Sequence, residues 1–505
     1  MDPFGSDSKM KKWLIRITLA VVVLSLLSLL FIDRELSKMY GGHARVAEIN
    51  LPERDVERYA IVNVNVLSPS ADHFTRDQTV VIDGGEIESV GMKDELADGI
   101  ETIDGGGMFL VPGYIDSHVH TWESENDLLL YVANGVTQIR EMNGSEESLR
   151  WKHEIVDGRI GPDMFVVAPQ MATFDLIEGW FVGWTQHKTI VRTDSQVEQA
   201  VRAFKAKGYD AVKASSFLSR ESYSALSRET VEQSIPLVGH IPLDADLEAV
   251  WQSNQSEVAH VEELMKALRD EFGRFSSETA EEFLDFVRSR SDDVADHLLD
   301  KGISVTSTLA LIDSLHRQKS DLQGVLDEAQ IQYANPGIAG GSVITSHGIG
   351  WLPDVNIYRF PADWDEVRRQ KSLIYWKAYS KAQHIVFSAL LEKGVPILAG
   401  SDANTPVTVP GFSLHEEMEA LNEEGMTTAQ ALASATSVPA AWLKTNTGEI
   451  RPGFKANLVL LAGNPLENID ATDSIEMVIK DGRVFSRSDL DGMLSAVKSA
   501  NDASR

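Results

Sequence analysis

The chain has 505 residues, enough for a large catalytic fold with a satellite domain. Its 76 acidic residues against 46 basic ones give a formal net charge of −30, a surface that repels phosphate backbones and argues against a nucleic-acid partner. There is no cysteine, which removes disulfides, thiolate metal sites and cysteine nucleophiles together.

Residues 1–12 read as a leader on the cytoplasmic side. Lys11, Lys12 and Arg16 stand in front of the apolar run Ile17–Ile32, and with Trp13–Ile15 the stretch 13–32 reads as a transmembrane anchor. Basic residues at its start place everything after Asp33 on the periplasmic or extracellular side. The alternative is a cleaved signal peptide and a secreted or periplasmic product, but no A-x-A-like site lies between Phe31 and Gly42. A polar linker is expected over 33–54.

Residues 55–110 alternate apolar and polar positions. Ile61–Leu67 and Thr79–Ile82 read as half-buried strands, with turns at Gly84-Gly85 and Gly105–Gly107. Residues 441–488 repeat that character, with strands at Leu458–Leu461 and Met477–Ile479 and a hairpin turn at Asp481-Gly482. The two blocks predict one small β domain built from both ends of the chain.

Between them, over 111–440, short apolar runs alternate with amphipathic segments. Met164–Ala168, Ala211–Lys213, Leu237–His240 and Ile303–Thr306 read as strands, and Gln196–Lys207 as a helix. This alternation predicts an α/β fold, a (β/α)8 TIM-like barrel. Residues 310–385 break the rhythm and read as an insertion with helices of its own. The tail 489–505 is polar and expected to be loose after about Leu494.

Chemistry concentrates at the ends of the predicted strands. Val111–His120 (VPGYIDSHVH) closes an apolar strand with His118 and His120, whose i, i+2 spacing points both imidazoles to one face. Later apolar runs end in Lys213, His240, His260 and Asp402. Taken singly, Lys213 reads as a snorkelling lysine and His240 as a core histidine. Six metal-compatible side chains at strand ends are harder to explain by packing, because barrel active sites lie at that face. Arg140 and Tyr223 are weaker candidates for substrate contact, against the simpler readings of a salt-bridged arginine and a packed tyrosine. Aromatic clusters at Phe174–Trp184 and Trp351–Phe360 could wall a pocket, pack the core or touch a membrane.

These words together resemble the amidohydrolase superfamily, and within it imidazolonepropionase-like hydrolases, Xaa-Pro and Xaa-Arg dipeptidases and ochratoxinase-like amidases. The resemblance rests on Val111–His120, Gly135–Arg140 (GVTQIR), Leu398–Asp402 (LAGSD), Ala431–Ala441 (ALASATSVPAA) and Gly448–Leu461 (GEIRPGFKANLVLL). Asn457 departs from the aspartate usual in the family. The resemblance implies two divalent metal ions, zinc by default, with His118 and His120 on one and His240 and His260 on the other. It implies that Lys213 bridges them as a carbamate formed with carbon dioxide. Asp402 is then both a metal ligand and the general acid/base, and the reaction is cleavage of an amide or dipeptide bond by metal-activated hydroxide. A homo-oligomer is expected. The competing readings are a mononuclear ring-opening hydrolase or deaminase, and a non-catalytic barrel that serves as an interaction protein.

Overall fold

The computed structural model describes residues 5–50, 58–92, 96, 99–342 and 349–505. Residues 1–4 of the expected leader and 51–57, where the expected linker meets the β domain, lie outside the described residues.

Among the described residues, eight parallel strands close a barrel. In chain order they are Tyr114–Val119, Val136–Glu141, Asp163–Val166, Val212–Ala214, Leu237–Gly239, Gln255–Ala259, Ser304–Thr306 and Ile397–Leu398. Neighbours pair in register along the chain. Single bridges complete the circle, Val167 to Ala211 between strands three and four and Val119 to Ala403 between one and eight. The strands are short and apolar because helices cover the outside and side chains fill the inside.

The flanking sheet does join the two ends of the chain. Leu458–Leu461 lies antiparallel to Phe109–Pro112, with Leu460 opposite Leu110. Tyr59–Leu67, Phe74–Asp83 and Glu86–Met92 extend the sheet on one side, and Ile475–Lys480 and Arg483–Ser486 on the other. Ile61, Val80, Ile82, Leu110 and Leu458 form its own apolar core. Asn457 is buried there, accepting from the Asp481 backbone at 2.7 Å.

Three expectations need correction. The N-terminal helix does not stop at Ile32 but runs over Gly5–Met39, so the first residues of the expected linker are helical. Leu36, Met39 and Tyr40 are buried against Ile338, Trp351, Val407 and Val409, which explains why the helix continues. The tail is not loose. Arg487–Asp502 is a helix that buries Leu490, Met493 and Val497, one apolar face at helical spacing. The expected insertion is also shorter at its end, since Glu366–Lys393 is the helix leading into the eighth strand and packs along Ala280–Lys301.

Candidate metal centre

Five of the eight barrel strands deliver a candidate ligand within them or just past their ends. His118 lies within the first strand, with His120 one residue past it. Lys213 lies in the fourth strand, His240 directly follows the fifth, and His260 directly follows the sixth. Asp402 stands four residues past the eighth.

The six converge. Lys213 Nζ is 3.2 Å from His118 Nε2. Asp402 Oδ1 lies 3.5 Å from His118 Nε2 and 3.2 Å from His120 Nε2. The His118 and His260 rings are 4.3 Å apart between centroids, and those of His240 and His260 5.4 Å. Ligand atoms of His118, His260 and Asp402 all fall within 4.8 Å of one another.

Two glycines permit this crowding. A Cβ on Gly400 would lie 2.9 Å from the His118 Cβ, and one on Gly239 would lie 2.5 Å from the Lys213 Cγ. The backbone is also held out of its ordinary range, with φ of +76° at His260 and +52° at Asp402. Such strain in residues other than glycine is typical of functional sites.

The imidazoles are oriented from behind. His240 Nδ1 meets Ser216 Oγ at 2.9 Å, and His260 Nδ1 meets Thr308 Oγ1 at 2.9 Å, leaving each Nε2 for the cluster. Trp122 stacks on His120 at 5.7 Å, with the ring planes 11° apart. Glu141 Oε1 is 3.8 Å from His120 Nδ1, while the other oxygen takes bonds from the backbone and hydroxyl of Thr121. Asp116 ties the two halves of the centre together, accepting from the His118 backbone at 3.2 Å and the Ser401 backbone at 3.0 Å.

Electrostatics favour neutral nitrogens except at His120, where burial would lower the pKa but Asp402 and Glu141 outweigh it and raise it. Burial, reinforced by the neighbouring Lys213 charge, holds His118 and His240 well below the ordinary imidazole range. Burial likewise brings His260 to about 4 and the Lys213 amine to about 8. For Asp402, burial would raise the pKa, but the His120 imidazole 3.2 Å away and the other nearby positive charge outweigh it and lower it. His118 Nδ1, His120 Nδ1 and Asp402 Oδ1 are buried without a hydrogen-bond partner. The atoms that face one another are His118 Nε2, His120 Nε2, Lys213 Nζ and Asp402 Oδ1, a buried nitrogen and carboxylate set that fits divalent metal.

Arg140 and Tyr223 do not join the cluster. Arg140 is fully buried, 3.4 Å from Glu257 and 4.3 Å above the Trp442 ring, which is the salt-bridged reading. The Tyr223 hydroxyl donates to Gln255 at 2.7 Å and reaches Ser253 at 2.9 Å, which is the packed reading. His415 also stays outside the cluster, bonding Thr472 and the Asn134 carbonyl. Sequence reasoning missed Trp122, Glu141, Ser216 and Thr308. Trp122 and Glu141 stood close to words already singled out, but which face they took depends on the barrel closing.

The profile of the amidohydrolase family matches residues 349–485. No curated protein matches the sequence. Solved structures with the same fold include a bottromycin amidohydrolase, 19% identical with a TM-score of 0.66, the match covering 89% of this chain and 91% of that one. A Xaa-Pro dipeptidase with bound methionine is 18% identical at TM-score 0.60, covering 85% of this chain and 100% of that one. The ochratoxinase of A. niger is 17% identical at 0.59, covering 85% and 96%. The family match bears out the amidohydrolase resemblance over residues 349–485, and the solved structures share the fold.

Proposed function

We propose that this protein is a metal-dependent amidohydrolase that cleaves the C–N bond of a dipeptide-like or N-acyl amino acid substrate. The observation that supports the reading is the convergence of six metal-compatible side chains at the C-terminal mouth of the barrel, contributed by strands one, four, five, six and eight. The dipeptidase and amidohydrolase names among the solved structures of this fold support the same bond.

His118 and His120 would hold one cation and His240 and His260 the other, with Lys213 between them as a carbamate. That carbamate forms when the neutral amine adds to carbon dioxide and releases a proton. Burial of Lys213 among histidines, with no carboxylate bonded to it, favours the addition. When bound, divalent metal, zinc by default, polarises the scissile carbonyl and supplies a water acidic enough to lose its proton near neutral pH. Asp402 accepts that proton as the C–O bond forms and passes it to the leaving nitrogen as the C–N bond breaks.

The apolar stretch Lys11–Met39, with a mean hydropathy of 2.6 over its best window, is read as the anchor of the native chain. Its basic start puts the barrel on the periplasmic or extracellular side.

The test joins metal content to turnover. The purified chain should carry about two divalent ions and hydrolyse members of a panel of dipeptides and N-acyl amino acids, with loss of activity to a chelator. Lys213→Ala should lose both metal and rate. If Lys213→Ala keeps two metals and full turnover, the carbamate is wrong. One ion in fully active protein would favour the mononuclear hydrolase.

A further inference from the structure

One helix presents its apolar face to solvent. Leu176–Thr185 buries Gly179, Val182 and Thr185, with Gly179 against Ile190 and Arg192, while Leu176 is 76%, Ile177 83%, Trp180 61% and Phe181 47% exposed. Positions 176, 177, 180 and 181 share one side of a helix. Phe217, itself half exposed, lies beside the start of this helix, its ring 5.5 Å from Phe174. A contiguous apolar surface of this kind marks a contact with something apolar.

The location says with what. The helix belongs to the loop after the third barrel strand, on the same face as the metal centre. Trp184 Nε1 donates to Asp33 at 3.3 Å, the residue at which the apolar run of the N-terminal helix ends. Tyr40 donates to the Thr185 carbonyl at 2.8 Å. Trp180 stands one turn from Trp184, about 5.4 Å along the axis, with their rings 5.5 Å apart. Arg192 bonds the carbonyls of Phe174 and Asp175 at 2.7 Å each and fixes the start of the helix. Tryptophan and phenylalanine concentrate at the boundary between lipid tails and headgroups.

We propose that the exposed face of Leu176–Thr185, with Phe217, rests in the interfacial layer of the bilayer that the N-terminal helix crosses, so that the barrel mouth opens against lipid. The proposal rests on the anchor reading above. With a net charge of −30 the attachment is apolar and not electrostatic, and neutral phosphatidylcholine suffices. The reacting site would then receive substrates carrying an apolar tail, drawn from the membrane surface.

The absence of cysteine makes a direct test available. Single cysteines replace Leu24 in the anchor, Ile177 and Phe181 on the exposed face, and Val156, which is 79% exposed on the far side of the barrel. Each full-length variant carries a bimane label in phosphatidylcholine nanodiscs with one copy per disc. Adding lipids with nitroxides near the headgroup and along the acyl chain should quench Ile177→Cys, Phe181→Cys and Leu24→Cys, and leave Val156→Cys unchanged. Aqueous iodide should do the reverse. If Leu24→Cys is quenched by lipid while both face positions respond only to iodide, the surface contact is wrong and the anchor stands. If both face positions are shielded from lipid and iodide alike, the face is covered by protein, which also overturns the proposal. If Leu24→Cys fails to respond to lipid, the anchor reading itself has failed.

Discussion

At the scale of single residues the centre separates side chains that hold from side chains that react. On the proposed reading Asp402 does both, with one oxygen 3.2 Å from His120 Nε2 and its backbone amide donating to the His118 carbonyl at 2.8 Å. Asparagine tolerates the same left-handed backbone and fills nearly the same volume. Asp402→Asn is therefore expected to fold and keep metal, yet lose about 10²–10⁴-fold in kcat with its proton acceptor gone. Wild-type turnover in that variant would move the proton shuttle to another group. Arg140 predicts the opposite pattern. Its guanidinium and the Glu257 carboxylate are both fully buried, so Arg140→Met would leave an uncompensated charge and cost about 3–5 kcal/mol of stability. A KM for carboxylate-bearing substrates that rises while the thermal midpoint stays fixed would restore Arg140 as a substrate contact. The sequence made the six clustered residues legible because each ends an apolar run, a local signal. It could not separate Arg140 from them, since that residue also ends a strand-like word. Only the closed barrel reveals that Glu257, 117 positions away, occupies its charge.

Among the elements, legibility follows how local the cause is. Leu458–Leu461 and the turn at Asp481-Gly482 were readable because alternation and turn chemistry are properties of neighbouring residues. The helix Arg487–Asp502 was not, because its polar composition hides three apolar positions that matter only once they meet the barrel. The end of the insertion is hidden for a related reason, as Glu366–Lys393 has a weakly patterned surface and contacts on several sides. That helix also carries a titrating strut. His384 reaches Asp313 at 3.0 Å and Glu424 at 3.1 Å, linking the helix Leu309–Glu328 to the loop after Phe412–Glu423. Burial lowers its pKa, but the two carboxylates outweigh that and leave it raised. A raised folded-state pKa means stability that is fully present below the unfolded value of about 6.5 and is lost as pH climbs through the folded value. His384→Gln should thus melt below the wild type at pH 6, with the gap closing as pH rises towards 8. A gap that is constant across that range would show that packing, not charge, is what the histidine contributes.

The whole molecule is organised around the place where the N-terminal helix meets the barrel mouth. Leu36, Met39 and Tyr40 are at most 6% exposed, and they cover Trp351, Val407 and Val409. Val407 and Val409 belong to the loop that also carries Asp402. Tyr40 packs edge-on to Trp122 at 5.3 Å, and Trp122 stacks on His120. The last turn of the helix is consequently part of the packing behind the metal centre, whatever the preceding segment does in a membrane. Burying one large apolar side chain is worth about 1.5–3 kcal/mol, so removing the three together forfeits on the order of 5 kcal/mol. Two truncations separate anchor from prop. A chain beginning at Asp33 keeps the docked turn and should match the full-length protein in thermal midpoint and metal content. A chain beginning at Ala44 loses it, and should melt several degrees lower with reduced occupancy at limiting metal, partly recovered when metal is in excess. Recovery is the informative part, because a freed Trp122 loosens His120 without deleting any ligand. If the chain from Ala44 matches the chain from Asp33 in both measurements, the docked turn contributes nothing to the centre and the helix is an anchor alone.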